Sequence, residues 1–182
     1  MDLLIEDGQC LGVFGESGCG KSLMLRAIAD LDRHQGTVLL DDIAASETPA
    51  PQWRRQVCLL PADSEWWFDY VGEHFEHLDP QAAAMLGFKK DVNDWQVSRL
   101  SSGEKQRLAL LRVLQNQPRV LLLDEPTANL DQDNTRLFET MVADYISHHK
   151  ACALWVSHDL QQLQRVCKTI YELKQGQLEK QP

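Results

Sequence analysis

Eight residues constrain this chain more than any others: Gly15-Glu16-Ser17-Gly18-Cys19-Gly20-Lys21-Ser22. They match G-x-x-x-x-G-K-[ST] at every fixed position. Before them, Cys10-Leu11-Gly12-Val13-Phe14 reads as a short buried strand. After them, Met24, Ala27, Ile28 and Leu31 recur at helical spacing. The loop therefore joins a strand to a helix, as a phosphate cradle requires. Glycines let backbone N–H groups turn inward around phosphate oxygens. The helix N-terminus adds its partial positive charge. Lys21 can reach terminal phosphates, and the Ser22 hydroxyl can ligate Mg²⁺. The competing reading is a glycine turn before an ordinary helix. With glycine at about 7% of average usage, a chance match in a chain this long is on the order of one in a hundred. The stretch predicts a nucleoside triphosphate site.

The rest of the composition narrows the class. With 182 residues and 43% hydrophobic content, the chain can build one domain with a sizeable core. Its net charge of -9 argues against a broad nucleic-acid-binding surface, so no nucleic-acid partner is expected. The five cysteines are odd in number and form no C-x-x-C, which suggests neither a disulfide framework nor a zinc knuckle. No stretch resembles a signal peptide, and no apolar run is long enough to span a membrane. A protein of a reducing compartment is expected, and work at a membrane would need another chain to supply the span.

In chain order, Leu3-Leu4-Ile5, followed by the turn residues Asp7-Gly8, is expected to pair with the strand at Cys10–Phe14. The helix after the loop is expected to end near Gly36. Thr37–Leu40 reads as a strand, residues 44–52 with Pro49 and Pro51 as a loop, and Arg55–Leu60 as a strand closed by Pro61. Between Ala62 and Ser98 a small helical insertion is expected, with a helix after Pro80. Trp66, Trp67, Phe68, Tyr70 and Phe75 read as its local core. A helix introduced by Leu100–Glu104 and running through Leu114, the wholly apolar strand Val120–Leu123, and a helix from about Gln132 with Leu137, Met141 and Tyr145 inward follow. Ala153–Val156 is the next strand, a helix carries Leu160, Leu163 and Val166, and a hairpin turning at Gly176 closes the chain. Strands alternating with helices predict an α/β fold of P-loop type with a mostly parallel, covered sheet.

Two further clusters carry chemistry. Leu121-Leu122-Leu123-Asp124-Glu125 is an apolar strand ending in two carboxylates. Asp124 can reach Mg²⁺, and Glu125 can polarise a water for in-line attack on a γ-phosphate. Leu100-Ser101-Ser102-Gly103-Glu104 fits a helix capping box, and a helix N-terminus of this kind is also an anion site.

In this order the motifs resemble those of the ATP-binding cassette (ABC) ATPases. Gly15–Ser22 resembles that family's Walker A motif, Val120–Glu125 its Walker B, and Leu100–Glu104 its L-S-G-G-Q signature, here Leu-Ser-Ser-Gly-Glu. Ala128-Asn129-Leu130-Asp131 resembles the D-loop, and His158 in Val156-Ser157-His158-Asp159 the switch histidine. The resemblance implies that Gly15, Glu16, Ser17, Gly18, Cys19, Gly20, Lys21 and Ser22 bind ATP phosphates. It implies that Ser22 and Asp124 hold Mg²⁺, that Glu125 positions water and that His158 touches the γ-phosphate. Ser101 and Gly103 would close on the nucleotide of a second copy, because the family works as head-to-tail pairs. It further implies one ABC domain over residues 1–182, with a reduced insertion at 62–103 ending in the signature. The implied role is the ATPase subunit of an ABC transporter, cytoplasmic and held at the inner membrane face by a membrane-spanning permease. The alternatives are a non-transport ABC protein of DNA repair or translation, and an ATP-gated dimerisation module with weak hydrolysis.

Three departures from the family pattern stand out. The stretch before Lys21 is too short for the strand bearing the adenine-stacking aromatic, so either a native N-terminus is missing or adenine is held loosely. Ala62 stands where the family has a glutamine that helps hold Mg²⁺. The helical insertion is short.

Overall fold

The apolar runs make the strands. In the computed structural model, which describes residues 2–89 and 91–181, β1 (Cys10–Phe14), β4 (Val57–Leu60), β5 (Val120–Asp124), β6 (Cys152–Val156) and β7 (Thr169–Lys174) lie parallel in one sheet. β8 (Gln177–Lys180) turns back antiparallel on β7. Across the sheet the order is β4-β5-β6-β1-β7-β8. Met1, Lys90 and Pro182, which fall in the expected domain span, lie outside the described residues.

β5 and β6 read as unbroken apolar runs because both of their faces are covered. Leu122 faces one layer, with Leu25 of α1 (Lys21–Ile28) and Trp53 of α2 (Ala50–Gln56). Leu121 and Leu123 face the other, with Leu108 of α4 (Ser102–Leu114) and Phe138 of α5 (Gln132–His149). The alternation follows from the two-residue period of a strand. Val13 pairs with Val156 and Val156 with Asp124, while Leu60 pairs with Leu123. Four strands thus end on one edge of the sheet. The loops that leave this edge carry the motifs, as is usual in open α/β sheets.

Several sequence expectations are corrected. Leu3–Ile5 forms no strand, because β6 and β7 occupy both edges of β1; Leu3 and Ile5 pack against the core instead. The first helix stops at Ile28, and Leu31 is exposed. The strand expected at Thr37–Leu40 shrinks to β2 (Leu39–Leu40), which pairs with β3 (Ile43–Ala44) through Asp41 and Asp42, both at positive φ. Residues 44–52 are not all loop: α2 begins at Ala50 with a proline in its first turn and takes in Arg55 and Gln56. Proline there loses no helical hydrogen bond, so a residue that signals a break elsewhere starts a helix here. On α5 the inward residue is Phe138, fully buried, and not Leu137 beside it. One residue along a helix rotates the side chain by about 100°.

The insertion between β4 and α4 holds α3 (Pro80–Met85) and two short 3₁₀ turns. Its core is aliphatic: Val71, Leu78, Leu86, Val92 and Val97, with Phe88. Of the expected aromatic core, Trp66 and Phe75 are half-buried against these residues, while Trp67, Phe68 and Tyr70 are exposed. Trp67 is 63% exposed and Phe68 47% exposed. They gather around buried His74, whose Nε2 accepts the backbone N–H of Trp67 and of Phe68, each at 3.1 Å. Nδ1 then donates to the Tyr70 carbonyl at 3.1 Å, which fixes the neutral tautomer. Arg112 lies over Trp66 and Trp67 from α4. Burial, ahead of the opposing contact with the Tyr70 carbonyl and helped by the Arg112 charge, lowers the His74 pKa from 6.5. The unfolded chain therefore binds the proton more readily. Stability is full above pH 6.5 and falls as acid drives the pH below that value. In a pH series of urea unfolding, wild type should lose stability between neutral pH and the onset of carboxyl titration. His74→Asn should flatten that limb; an unchanged slope would show that His74 is not its source.

Candidate functional site

The loop between β1 and α1 closes around the Lys21 side chain. Its Nζ donates to the carbonyl oxygens of Gly15 at 2.8 Å and of Glu16 at 3.0 Å. These bonds turn two loop carbonyls towards the ammonium. Glu16, Ser17 and Gly18 are exposed at the crown, Cys19 and Gly20 are half-buried, and Ser22 is exposed on the first helical turn. No acidic residue occupies that turn, so the positive end of the helix is unopposed. Gly15 is required by space: a Cβ there would sit 2.6 Å from the Leu173 carbonyl oxygen and 2.9 Å from Cys19 Sγ. Any larger residue would push the loop off β7.

Two strand ends complete the edge. The Ser157 N–H donates to the Val13 carbonyl at 3.2 Å, and the Glu125 N–H to that of Val156 at 3.0 Å. Asp124 lies two strands from β1, roughly 10 Å away at the usual spacing. It is 8% exposed and forms no ion pair with a described cation. Glu125 follows at φ 44, a left-handed conformation that L residues disfavour. Such strain persists where the surroundings hold it, and it concentrates at functional sites. The Glu125 carboxylate accepts the His158 N–H at 3.3 Å and meets His158 Nδ1 at 2.8 Å. The structure therefore joins Glu125 to His158, and it sets both on the same sheet edge as Lys21 and Ser22.

A polar network behind this edge was not anticipated. Gln162 is 2% exposed and bonds Thr127, Ser157 and Glu139. Arg165 of α6 (Leu160–Val166) grips Glu139 through two nitrogens, at 2.9 and 2.6 Å. Burial pushes the Glu139 carboxyl up, but the bonds from Arg165 and Gln162 outweigh it and hold it below its ordinary value. The network ties the turn after Glu125 to the turn that bears His158. The signal was a carboxylate on the buried stripe of α5, in phase with Val142 and Ile146.

Ser101 caps α4. Its Oγ accepts the Glu104 N–H at 3.2 Å, and the Glu104 carboxylate accepts the Ser101 N–H at 2.8 Å. Gly103 lets α4 touch the turn before α5: a Cβ there would lie 2.9 Å from the Asn129 carbonyl oxygen. The described side-chain hydrogen bonds at Ser101 and Gly103 run to Glu104 and Arg107, and none reaches the loop at 15–22. The structure brings Lys21, Ser22, Asp124, Glu125 and His158 to one edge; it links the Ser101–Gly103 segment to the Asn129 turn instead. Next to Ala62, the Pro61 carbonyl accepts from the buried amide of Gln106 at 3.0 Å, which anchors α4 to the end of β4.

The donor set suits Mg²⁺ shared with a polyphosphate. Among the described residues no cluster of three or more ligating side chains exists, so an all-protein cage is absent. One buried, unpaired carboxylate and one exposed hydroxyl fit a small hard cation that keeps waters and takes its other ligands from phosphate. Among the described residues no helix is long and apolar enough to cross a membrane.

The family model described as ABC transporter matches residues 1–128. An aliphatic sulfonates import ATP-binding protein of Pseudomonas aeruginosa is 32% identical over 188 residues, 98% of this chain and 66% of that protein. A probable iron export ATP-binding protein of Escherichia coli is 32% identical over 171 residues, 87% of this chain and 76% of that protein. A bacterial Atm1-family ABC exporter solved with ATP bound has a TM-score of 0.82 and 26% identity, over 94% of this chain and 33% of that one. This chain thus spans about two thirds of the length of its sulfonate-import relative, 66%. The matched segment contains the phosphate loop, the Ser101–Glu104 cap and the Asp124–Glu125 strand end, and the chain belongs to the ABC transporter family.

Proposed function

We propose that this chain is the ATP-hydrolysing subunit of an ABC transporter and acts as a head-to-tail pair of copies. The observation that carries the reading is the single sheet edge on which Lys21, Ser22, Asp124, Glu125 and His158 meet. In this reading the N–H groups of Gly15–Gly20 and the Lys21 ammonium bind the β- and γ-phosphates. Ser22 and Asp124 hold Mg²⁺, which neutralises phosphate charge when bound. Glu125 orients a water and takes its proton, and His158, already hydrogen-bonded to Glu125, contacts the γ-phosphate side of the site. Ser101 and Gly103 face the nucleotide of the second copy. Residues 1–182 act as one domain, with the segment at 62–103 as its reduced insertion.

A membrane-spanning permease is the proposed partner, which places the chain at the inner face of a membrane. The exposed aromatics support this. Leu31, Trp67, His74 and Arg112 line a cleft of about 450 Å³ between the insertion and the sheet. An apolar helix face with an acidic residue would suit Arg112 and Trp67.

A phosphate-release assay on the purified chain tests the reading. Turnover should require Mg²⁺, stop on chelation, and rise more than linearly with protein concentration. Tight ATP binding without turnover would favour the alternative, an ATP-gated dimerisation module, to which Ala62 points.

A further inference from the structure

Cys10 opens β1, and Cys167 caps the C-terminal end of α6. They are 157 positions apart, yet their Sγ atoms stand 3.4 Å from each other, and the Lys168 N–H donates to the Cys10 carbonyl at 3.0 Å. Both thiols are half-buried and free. Closing a disulfide needs an S–S separation of about 2.05 Å. Side-chain rotation with a small shift of the α6–β7 junction covers the difference. Cys58 and Cys152, by contrast, are buried, and burial pushes each thiol up to about 11.

A second observation gives the pair an entrance. Cys10 lines a cleft of about 210 Å³ between α5 and the sheet, with Glu139, Trp155 and Lys168 among its walls. Trp155 is fully buried, and its Nε1 is a donor with no hydrogen-bond partner among the described residues. A buried indole N–H without an acceptor is costly, so this wall of the cleft carries unspent hydrogen-bonding capacity. We propose that Cys10 and Cys167 form an oxidation site at which a small peroxide drives a reversible disulfide.

The steps balance. The Cys10 thiolate attacks one peroxide oxygen, the O–O bond breaks, and hydroxide leaves and takes up a proton. Cys10 is now a sulfenic acid, oxidised by two electrons, and the peroxide is reduced to water. Cys167 gives up its proton and attacks the Cys10 sulfur; the S–O bond breaks, a second water leaves and the disulfide forms. The contact with Cys10, and then burial, push the Cys167 thiol up. Cys10, which lines the cleft, meets the oxidant first, and Cys167 behind it acts as the resolving partner. Thiol reductants reverse the reaction.

The test treats the purified 182-residue chain with stoichiometric hydrogen peroxide, alkylates the remaining thiols and maps peptides by mass. A linked pair of peptides containing Cys10 and Cys167 is expected, with Cys19, Cys58 and Cys152 alkylated. The link should vanish with dithiothreitol. It should be absent in Cys167→Ser, where Cys10 should instead be trapped as a sulfenic acid by dimedone. The oxidised chain should also unfold at higher urea, because the bond closes a loop over most of the chain and restricts the unfolded state. Oxidation confined to Cys19, or a wild-type map without the 10–167 link, would overturn the proposal. The mapping reads the thiols directly, so its outcome is independent of ATP hydrolysis.

Discussion

Replacing Lys21 by alanine is expected to abolish ATP hydrolysis and to weaken Mg·ATP binding about a hundredfold. The ammonium is the one cation in the loop, and it already sits against the Gly15 and Glu16 carbonyls. Hydrogen bonds to charged groups contribute about 1.5–3 kcal/mol each, and two lost phosphate contacts at the low end of that range, less what the loop carbonyls already supply to the ammonium, account for the factor. Stability should change by less than about 0.5 kcal/mol, because Lys21 is not a core residue and its partners are loop carbonyls open to water. Titration calorimetry measures the binding and urea unfolding measures the fold. A variant that binds ATP like wild type would refute the phosphate-loop assignment.

What the sequence disclosed depended on how local the signal was. The Gly15–Ser22 loop, the Asp124–Glu125 strand end and the Ser101–Glu104 cap are each written within a few residues, and each sits in the element expected of it. The parallel sheet followed from covered apolar runs such as Leu121–Leu123. Features fixed by distant partners stayed hidden. Leu3–Ile5 looks like a strand in isolation, but β1 has no free edge to offer it. Trp67 and Phe68 look like core residues, but a buried imidazole and a guanidinium organise them at the surface. The Glu139–Gln162–Arg165 network joins α5 to residues over 20 positions away; the helical phase of Glu139 marks it as buried, but no spacing names its partners. The contact between Glu125 and His158 was not legible in the sequence: the resemblance implied only separate roles for them, and the structure joins them directly.

Replacing Glu125 by glutamine is expected to lower turnover by about a thousandfold, within the range that general-base removal gives. Glutamine keeps the size and polarity of the side chain but cannot take a proton from water. It can still accept from the His158 backbone N–H, so the strained turn should persist. Mg·ATP binding should be retained, because Glu125 is not among the proposed phosphate or Mg²⁺ ligands. The nucleotide would then persist at the site unhydrolysed, and any assembly that ATP holds together would accumulate.

That accumulation bears on the central claim, the head-to-tail pair. Lys21 and the loop amides neutralise only part of the charge on ATP. The helix N-terminus at Ser101–Gly103 bonds within its own cap and rests on the Asn129 turn, so its remaining donors are free for a second copy. Light scattering on Glu125→Gln, with and without saturating Mg·ATP, measures this directly. The account predicts 20.7 kDa without nucleotide and twice that mass with it, and a return to the single-chain mass when Ser101→Arg is added. A Glu125→Gln chain that binds ATP and still scatters as a single chain would contradict it.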